Sequence, residues 1–329
     1  MESSSVSPII KQAGLLSFKP LVSVLKVLIL VASWSFLAYK LITFTQYDDL
    51  ALQWKLMPFI RLGWLAGVFA LLPLNWYLEA LKWKMLTSPV QKIELKASVR
   101  AVLSGISTGF FTPNRVGELV GRVAFLKPEN RKAGITLCLI NSITQNLVMA
   151  FCGIPACIFF FLSTSGRLKP DILHFILLTM IGILMIGFIY AMLPQWSRRI
   201  KKSRLSFKIR TFTDCLSGYR LKDLLHITGV SLFRYIVFCT QFYFMLRLFG
   251  IELTVMSALL AIPTNYLFVT FTPSLAFSEV AVRSSYAVLI IGAFSGQVVN
   301  IALAGVCIWT VNFALPMLAG SVVMMREKD

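Results

Sequence analysis

The stretch Gly109–Arg122 reads GFFTPNRVGELVGR, and a second stretch, Thr270–Arg283, reads TFTPSLAFSEVAVR. Both contain Phe-Thr-Pro within hydrophobic sequence, and both continue to a glutamate that is followed four residues later by an arginine. Threonine is a good N-cap, and proline suits the first helical position because its missing N–H would have no partner there. The two stretches therefore predict two half-helices inside a membrane, beginning at Thr112-Pro113 and at Thr272-Pro273.

The composition is that of a membrane protein. Of the 329 residues, 57% are hydrophobic and only 14% are charged, which is typical of chains whose helices face lipid or each other. Six apolar stretches are long enough to span a bilayer, and the first, which has no small-residue cleavage site, is predicted to be retained. These stretches are 20–45, 59–86, 133–162, 172–193, 224–248 and 297–325. The sequence predicts an all-α polytopic membrane protein with about six spanning helices, forming a single integral membrane domain over residues 1–329.

The distribution of basic residues predicts the topology. The formal net charge is +18, and short loops rich in Lys and Arg stay in the cytoplasm. Basic clusters flank the first Thr-Pro stretch on both sides, at Lys82–Arg100 and at Lys127–Lys132, so this stretch is predicted to enter the membrane from the cytoplasm and turn back. The basic loop 196–222 and both chain termini are also predicted to be cytoplasmic.

The two Thr-Pro stretches belong to a predicted internal repeat. An offset of 160 residues superposes Phe111 on Phe271, with a first repeat at about 59–126 and a second at about 219–290. From the number of membrane crossings predicted between the two copies, the second copy is predicted to run in the opposite direction. The sequence therefore predicts an inverted repeat with two re-entrant half-helix hairpins, one from each side, a recurrent transporter and channel design. The alternative is that the Thr-Pro pairs only kink ordinary spanning helices.

The first hairpin has the side chains expected of an anion site. A half-helix N-terminus with an arginine in its first turn offers N–H donors and a counter-charge to a phosphate. The Glu and Arg of each stretch are spaced i, i+4 and can pair on one helix face, which lowers the cost of burying them. The alternative is an ion pair that only joins helices. The predicted substrate-binding residues are Thr112, Pro113, Asn114, Arg115, Glu118, Arg122, Thr272, Pro273, Glu279 and Arg283.

These motifs resemble a known family. The pattern Thr112 to Glu118, the second segment Pro273 to Glu279 and the segment Asn75 to Trp83 are similar to the transmembrane region of lysylphosphatidylglycerol synthase, the flippase-like membrane family. The resemblance implies a role in moving lipids or lipid-linked intermediates at the plasma (inner) membrane. The sequence departs from the family pattern at residues 274–278. A glycine-rich turn is expected there, whereas the chain reads SLAFS. Because the chain ends directly after its last helix, we expect a stand-alone member without a soluble transferase domain.

Other kinds of chemistry have little support in the sequence. The six cysteines lack Cys-x-x-Cys spacing, the two histidines lie far apart, and there is no glycine-rich phosphate loop, so no metal, cofactor or catalytic residue is predicted and the protein is not expected to be an enzyme. The basic loop is expected to bind anionic lipid rather than nucleic acid. The predicted function is translocation of a lipid or lipid-linked molecule with an anionic headgroup. The alternatives are a non-catalytic subunit that presents a lipid to a separate glycosyl- or aminoacyl-transferase, and a small-solute channel.

Overall fold

The computed structural model describes five residues near the N-terminus (Val24, Val27, Leu28, Val31 and Ser35) and the ranges 59–112, 115–165, 170–201, 214–272 and 276–326. The described residues form helices and turns, with no strand among them. The helices are α1 (Leu62–Thr87), α2 (Leu95–Phe110), α3 (Gly117–Val123), α4 (Arg131–Ser165), α5 (Pro170–Lys201), α6 (Leu221–Leu248), α7 (Val255–Phe271), α8 (Ala276–Ile291), α9 (Val298–Trp309) and α10 (Leu315–Arg326). Short 3₁₀ turns precede α1 and α4, and a π-helix, Thr310–Ala314, joins α9 to α10.

The described part of the chain contains five helical stretches that are long and apolar enough to cross a membrane. They are Leu62–Thr87, Pro128–Thr164, Leu177–Arg199, Leu221–Leu248 and Val298–Arg326. These account for five of the six predicted spans, and the predicted first span, 20–45, lies almost entirely outside the described residues. The all-α, multi-pass class predicted from the sequence is confirmed.

Helices α1 and α6 pack side by side in opposite directions. The ring of Trp64, near the start of α1, lies 5.2 Å from that of Phe244, near the end of α6. At the other end of the pair, the Tyr219 hydroxyl donates to the carbonyl oxygen of Leu86. Because these helices open the two predicted repeats, their antiparallel packing is what an inverted repeat requires.

Helix α3 folds back along α2 to form a tight helical hairpin. A β-carbon at Gly117 would lie 2.2 Å from the carbonyl oxygen of Thr108, and one at Gly121 would lie 2.6 Å from that of Ser104. No side chain fits at either position, so glycine lets the two backbones touch. The Thr108 hydroxyl donates to the Gly117 carbonyl oxygen at 2.7 Å, which satisfies a backbone group beside this contact.

The two hairpins have their open ends at opposite ends of the bundle. The Lys127 N–H, after α3, donates to the Gln91 side chain, before α2, at 3.0 Å. In the second hairpin, formed by α7 and α8, the Asn300 amide donates to the carbonyl oxygen of Phe249 at 3.0 Å. Gln91 follows the end of α1, whereas Phe249 follows the end of the antiparallel α6. The inverted repeat and the position of either hairpin in a bilayer stay predictions, with which these contacts agree.

The first half-helix begins later than predicted. Helix α3 starts at Gly117 rather than at Thr112, because Arg115 has a φ of 59°, which is incompatible with a right-handed helix. The threonine still caps this helix from a distance, since its hydroxyl accepts from the Gly117 N–H at 2.7 Å. In the second hairpin, Thr272 has extended backbone, and its hydroxyl pairs with that of Tyr286 at 2.9 Å.

A polar layer separates two hydrophobic clusters. One cluster packs around Met245 and Ile262, and the other packs around Trp83 and Leu137. Along α1, α4 and α6, buried polar residues lie between the segments that contribute to the two clusters. These residues are Asn75, Glu79, Asn141, Thr144, Gln145 and Ser231. The candidate functional site lies in this layer.

Candidate functional site: a buried charge network

Glu79 is the centre of the polar layer, and its side chain is only 2% exposed. Its carboxylate lies 3.0 Å from Lys82 Nζ, 2.7 Å from Arg122 Nη1 and 2.9 Å from Arg234 Nη1. The Asn141 amide donates to the same carboxylate at 2.9 Å. One carboxylate is therefore contacted by polar side chains of four helices, α1, α3, α4 and α6.

Arg122 connects this centre to the first hairpin. Its second terminal nitrogen lies 3.0 Å from the Glu118 carboxylate, one turn earlier on α3. The predicted i, i+4 pair is therefore present, but Arg122 also contacts Glu79. A guanidinium has a planar fork of donors that can bind two carboxylates at once, so Arg122 holds the hairpin against α1.

Amide side chains surround the cations. The Gln145 carbonyl oxygen accepts from Lys82 at 3.2 Å and from Arg234 at 3.4 Å. Asn75 accepts from Arg234 Nε at 2.8 Å and donates to Asn312 at 3.4 Å. These amides supply dipoles but no counter-charge, so they orient the cations without neutralising them.

The charged residues around Glu79 form a first charged cluster, and a second charged cluster joins the turns of the two hairpins. The Arg115 guanidinium lies 2.8 Å from the Glu279 carboxylate on α8 and 3.9 Å from that of Glu118. Glu279 also binds Arg283, one turn further along α8, at 2.7 Å. Both arginines stack on the ring of Phe313, at 4.1 Å and 4.4 Å from its centroid.

The π-helix between α9 and α10 places two consecutive residues toward the network. Asn312 contacts Asn75, and the Phe313 ring contacts both Arg115 and Arg283. Because the wider turn of a π-helix changes the direction of the side chains that follow it, such turns occur often at functional sites. Here the turn brings the last long helix into contact with both clusters.

The described network holds more positive than negative charge. Five cations, namely Lys82, Arg115, Arg122, Arg234 and Arg283, are linked by ion pairs to three carboxylates, namely Glu79, Glu118 and Glu279. The excess among the described residues is two positive charges. Among the residues that the structure describes, ion pairs join the two clusters only through Glu118, which contacts Arg122 on one side and Arg115 on the other.

The predicted site residues that the structure describes lie around the hairpin turns. Glu118 pairs with Arg122, and Glu279 pairs with Arg283. Arg115 differs from its predicted setting, because it pairs with Glu279 instead of facing a half-helix N-terminus alone. Pro113, Asn114 and Pro273 lie outside the described residues. Substrate binding by these residues stays a prediction.

Three charged residues of the network, Glu79, Lys82 and Arg234, are missing from the predicted set. The signal that identifies them is an ionisable side chain inside an apolar run, which is costly in a bilayer and marks functional sites. Lys82 also corrects the prediction that it belongs to a cytoplasmic basic cluster. It is fully buried, because its position one turn after Glu79 on α1 directs it to that carboxylate.

These features define an integral membrane protein whose spanning helices enclose a polar, charged site between two helical hairpins. The chain belongs to the family described as the lysylphosphatidylglycerol synthase TM region, which matches residues 23–320. The resemblance identified from the motifs is confirmed. Comparison with curated proteins and with solved structures finds no match.

Proposed function

We propose that the protein translocates a lipid or lipid-linked molecule with an anionic headgroup across the membrane, and that it is not itself an enzyme. The observation that supports this proposal is the charge balance of the network, in which five cations meet three carboxylates. A phosphate group is the counter-ion that a lipid brings to such a site.

The energetic argument concerns the two positive charges in excess. Buried charge that its partners do not fully compensate is costly, on the order of several kcal/mol per ion even after the protein relaxes. Excess positive charge inside a helix bundle therefore lowers the stability of the fold unless a bound anion neutralises it. A phosphodiester headgroup supplies one negative charge and acceptor oxygens that fit guanidinium donors.

Arg115 is the cation through which an anion would first bind. Its side chain is 33% exposed, compared with 4% for that of Arg122. If Arg115 turned to a phosphate, Glu279 would keep its second partner, Arg283. The exchange would therefore leave no carboxylate unpaired, which keeps its cost low.

A reconstituted translocation assay tests this proposal. The purified full-length protein is placed in vesicles with a trace of acyl-labelled fluorescent phosphatidylglycerol, and a membrane-impermeant quencher reports how fast the label changes leaflet. We expect faster exchange than in protein-free vesicles. Arg115→Ala should slow it about tenfold or more, because a charge-assisted contact worth roughly 1.5 to 3 kcal/mol is lost. Arg115→Lys should restore part of the rate if charge alone matters.

Arg247→Ala is the matched control. Arg247 contacts Glu252 at 3.8 Å, and that glutamate is 75% exposed, so this arginine lies outside the network and the rate should stay unchanged. The proposal is wrong if wild-type vesicles exchange the lipid no faster than protein-free vesicles. In that case, retention of anionic lipid by the purified protein would favour the subunit that presents lipid to a separate transferase.

A further inference from the structure

A narrow pocket opens beside the second cluster, between α6, α7, α8, α9 and the π-helix. Aromatic and aliphatic side chains form most of its wall, and three polar side chains, Asn265, Arg283 and Asn312, interrupt it. The other lining residues are Phe242, Tyr266, Gly305, Ile308, Trp309 and Phe313, and the Tyr266 hydroxyl donates to the carbonyl oxygen of Phe238. Arg283 and Phe313 also belong to the charge network, so the pocket continues directly from it.

Asn265 is the unusual residue of this pocket. It is only 4% exposed, and its carbonyl oxygen accepts no hydrogen bond in the described part of the chain. The other two polar side chains of the wall are engaged, since Arg283 binds Glu279 and Asn312 accepts from Asn75. A buried acceptor without a partner costs about 1 to 3 kcal/mol, so a donor from outside the protein is the natural partner of Asn265.

The free atom and the size of the space define the kind of group that fits. A carbonyl oxygen can only accept, so the missing partner must donate an O–H or N–H. The pocket has room for a group of about the size of one water molecule. The positive charge of the neighbouring Arg283 disfavours a cationic amine. A single neutral hydroxyl meets all of these requirements.

We propose that Asn265 and the surrounding pocket bind a hydroxyl group of the headgroup whose phosphate is held by the adjacent network. This inference rests on the proposed function for the phosphate, and it adds a requirement that charge alone does not impose. A lipid with a hydroxyl-bearing headgroup should be preferred over a lipid of equal charge without a hydroxyl.

Two lipids with identical acyl chains separate the two ideas. Phosphatidylglycerol and phosphatidylpropanol carry the same charge and a three-carbon headgroup, but only the first has hydroxyls. Binding of each to the purified full-length protein is measured by titration in neutral nanodiscs. We expect the wild type to bind phosphatidylglycerol roughly five- to a hundredfold more tightly, the range set by one buried hydrogen bond. Asn265→Leu should abolish this preference and leave phosphatidylpropanol binding unchanged.

Gln241→Leu is the matched control. Gln241 is a fully buried amide on α6 that donates to the Val68 carbonyl oxygen at 3.1 Å and does not line the pocket. This variant should keep the preference. Thermal unfolding accompanies both titrations, and Asn265→Leu should be at least as stable as the wild type, because it removes an unpaired buried acceptor.

The outcomes distinguish the pocket from the transport function. Equal binding of both lipids by the wild type, or the same preference in Asn265→Leu, overturns the inference and means that the pocket holds only a water. The translocation assay is independent of that result. A wild type that prefers the hydroxyl lipid but does not move it would leave the pocket standing and overturn the proposed transport.

Discussion

At the scale of single residues, the charges at the centre of the network depend on partners from other helices. Glu79 has three cationic neighbours, whereas Arg122 has two carboxylates. In a low-dielectric interior, the loss of one partner leaves the others with uncompensated charge. The carboxylate with the most cations around it is therefore the residue whose neutralisation costs most.

Glu79→Gln should be strongly destabilising. The change leaves Lys82, Arg122 and Arg234 packed together with one counter-charge fewer, and breaking a buried pair in this way costs about 3 to 5 kcal/mol. Thermal unfolding in detergent measures the effect. A second change, Lys82→Met, should recover part of the lost stability by removing one of the repelling cations.

Glu252→Gln is the control for this prediction, because Glu252 is largely exposed and pairs only loosely with Arg247. It should change the stability by less than about 1 kcal/mol. Equal effects of Glu79→Gln and Glu252→Gln would mean that Glu79 does not balance the cations around it.

Spacing along the sequence predicted only those ion pairs of the network that lie within one helix. The pairs Glu118–Arg122 and Glu279–Arg283 follow from an i, i+4 relation, and both are present. The contacts of Glu79 with Arg122 and Arg234 join helices far apart in the chain, and no periodicity predicts which helix faces will meet. The pairing of Arg115 with Glu279 could not be predicted from the sequence for the same reason.

At the scale of elements, the first hairpin depends on glycine. Helix α3 has only seven residues, too short to be stable alone, so its packing on α2 holds it in place. Hydrophobicity predicted the long spans well, because their apolar length is a local property. It did not predict where α3 begins, which the left-handed conformation of Arg115 decides.

Gly121→Ala should open or strain this hairpin. Its β-carbon would lie 2.6 Å from the Ser104 carbonyl oxygen and 2.7 Å from Gly105 Cα, and backbone atoms cannot yield as a side chain can. Overpacking of this kind costs about 1 to 3 kcal/mol. Because α3 carries Glu118 and Arg122, lipid exchange in vesicles should fall together with the thermal stability.

Gly182→Ala on α5 is the matched change at a helical glycine with open space around it, where a β-carbon meets no atom within 4 Å. The free energy of unfolding of the Gly182→Ala variant should stay the same as that of the wild type or rise by up to about 1 kcal/mol. If both alanine variants behaved like the wild type, close packing of α3 on α2 would not be needed.

At the scale of the whole molecule, the two ends of the first hairpin lie together. The Asn130 amide and the Lys127 N–H both donate to the Gln91 side chain, so the loops before α2 and after α3 share one end of the bundle. This shared end is what the predicted re-entrant hairpin requires, and the re-entrant position in a bilayer stays a prediction. The predicted cytoplasmic location of both loops follows from their basic residues.

Cysteine labelling in intact cells checks this topology. Single cysteines at Pro89 and Pro128, both exposed, should be inaccessible to an impermeant thiol reagent added outside and should react after permeabilisation. The native cysteines are replaced in the background protein. Cys215, which lies near this end, should contribute little labelling in any case, because burial raises the pKa of its thiol to about 11. Labelling from outside at Pro128 but not at Pro89 would contradict the re-entrant hairpin.

The central claim is that the network holds excess positive charge that an anionic lipid neutralises. Gln145→Glu tests it by adding one negative charge within the network. The Gln145 side chain already accepts from Lys82 and Arg234, and its amide nitrogen has no hydrogen-bond partner in the described part of the chain. The carboxylate therefore replaces an unpaired donor and gains two charge-assisted contacts.

Gln241→Glu makes the same substitution at a buried amide about 10 Å along α6 from Arg234. It should be destabilising there, because the amide donor that the Val68 carbonyl oxygen accepts is replaced by a buried carboxylate oxygen. The decisive measurement is thermal unfolding of the wild type and both variants in neutral detergent, with and without added phosphatidylglycerol. We predict that Gln145→Glu is more stable than the wild type without the lipid and is stabilised less by it, whereas Gln241→Glu is less stable in both conditions. If Gln145→Glu is destabilised as much as Gln241→Glu, and the lipid stabilises all three proteins equally, the network holds no excess charge and the account is contradicted.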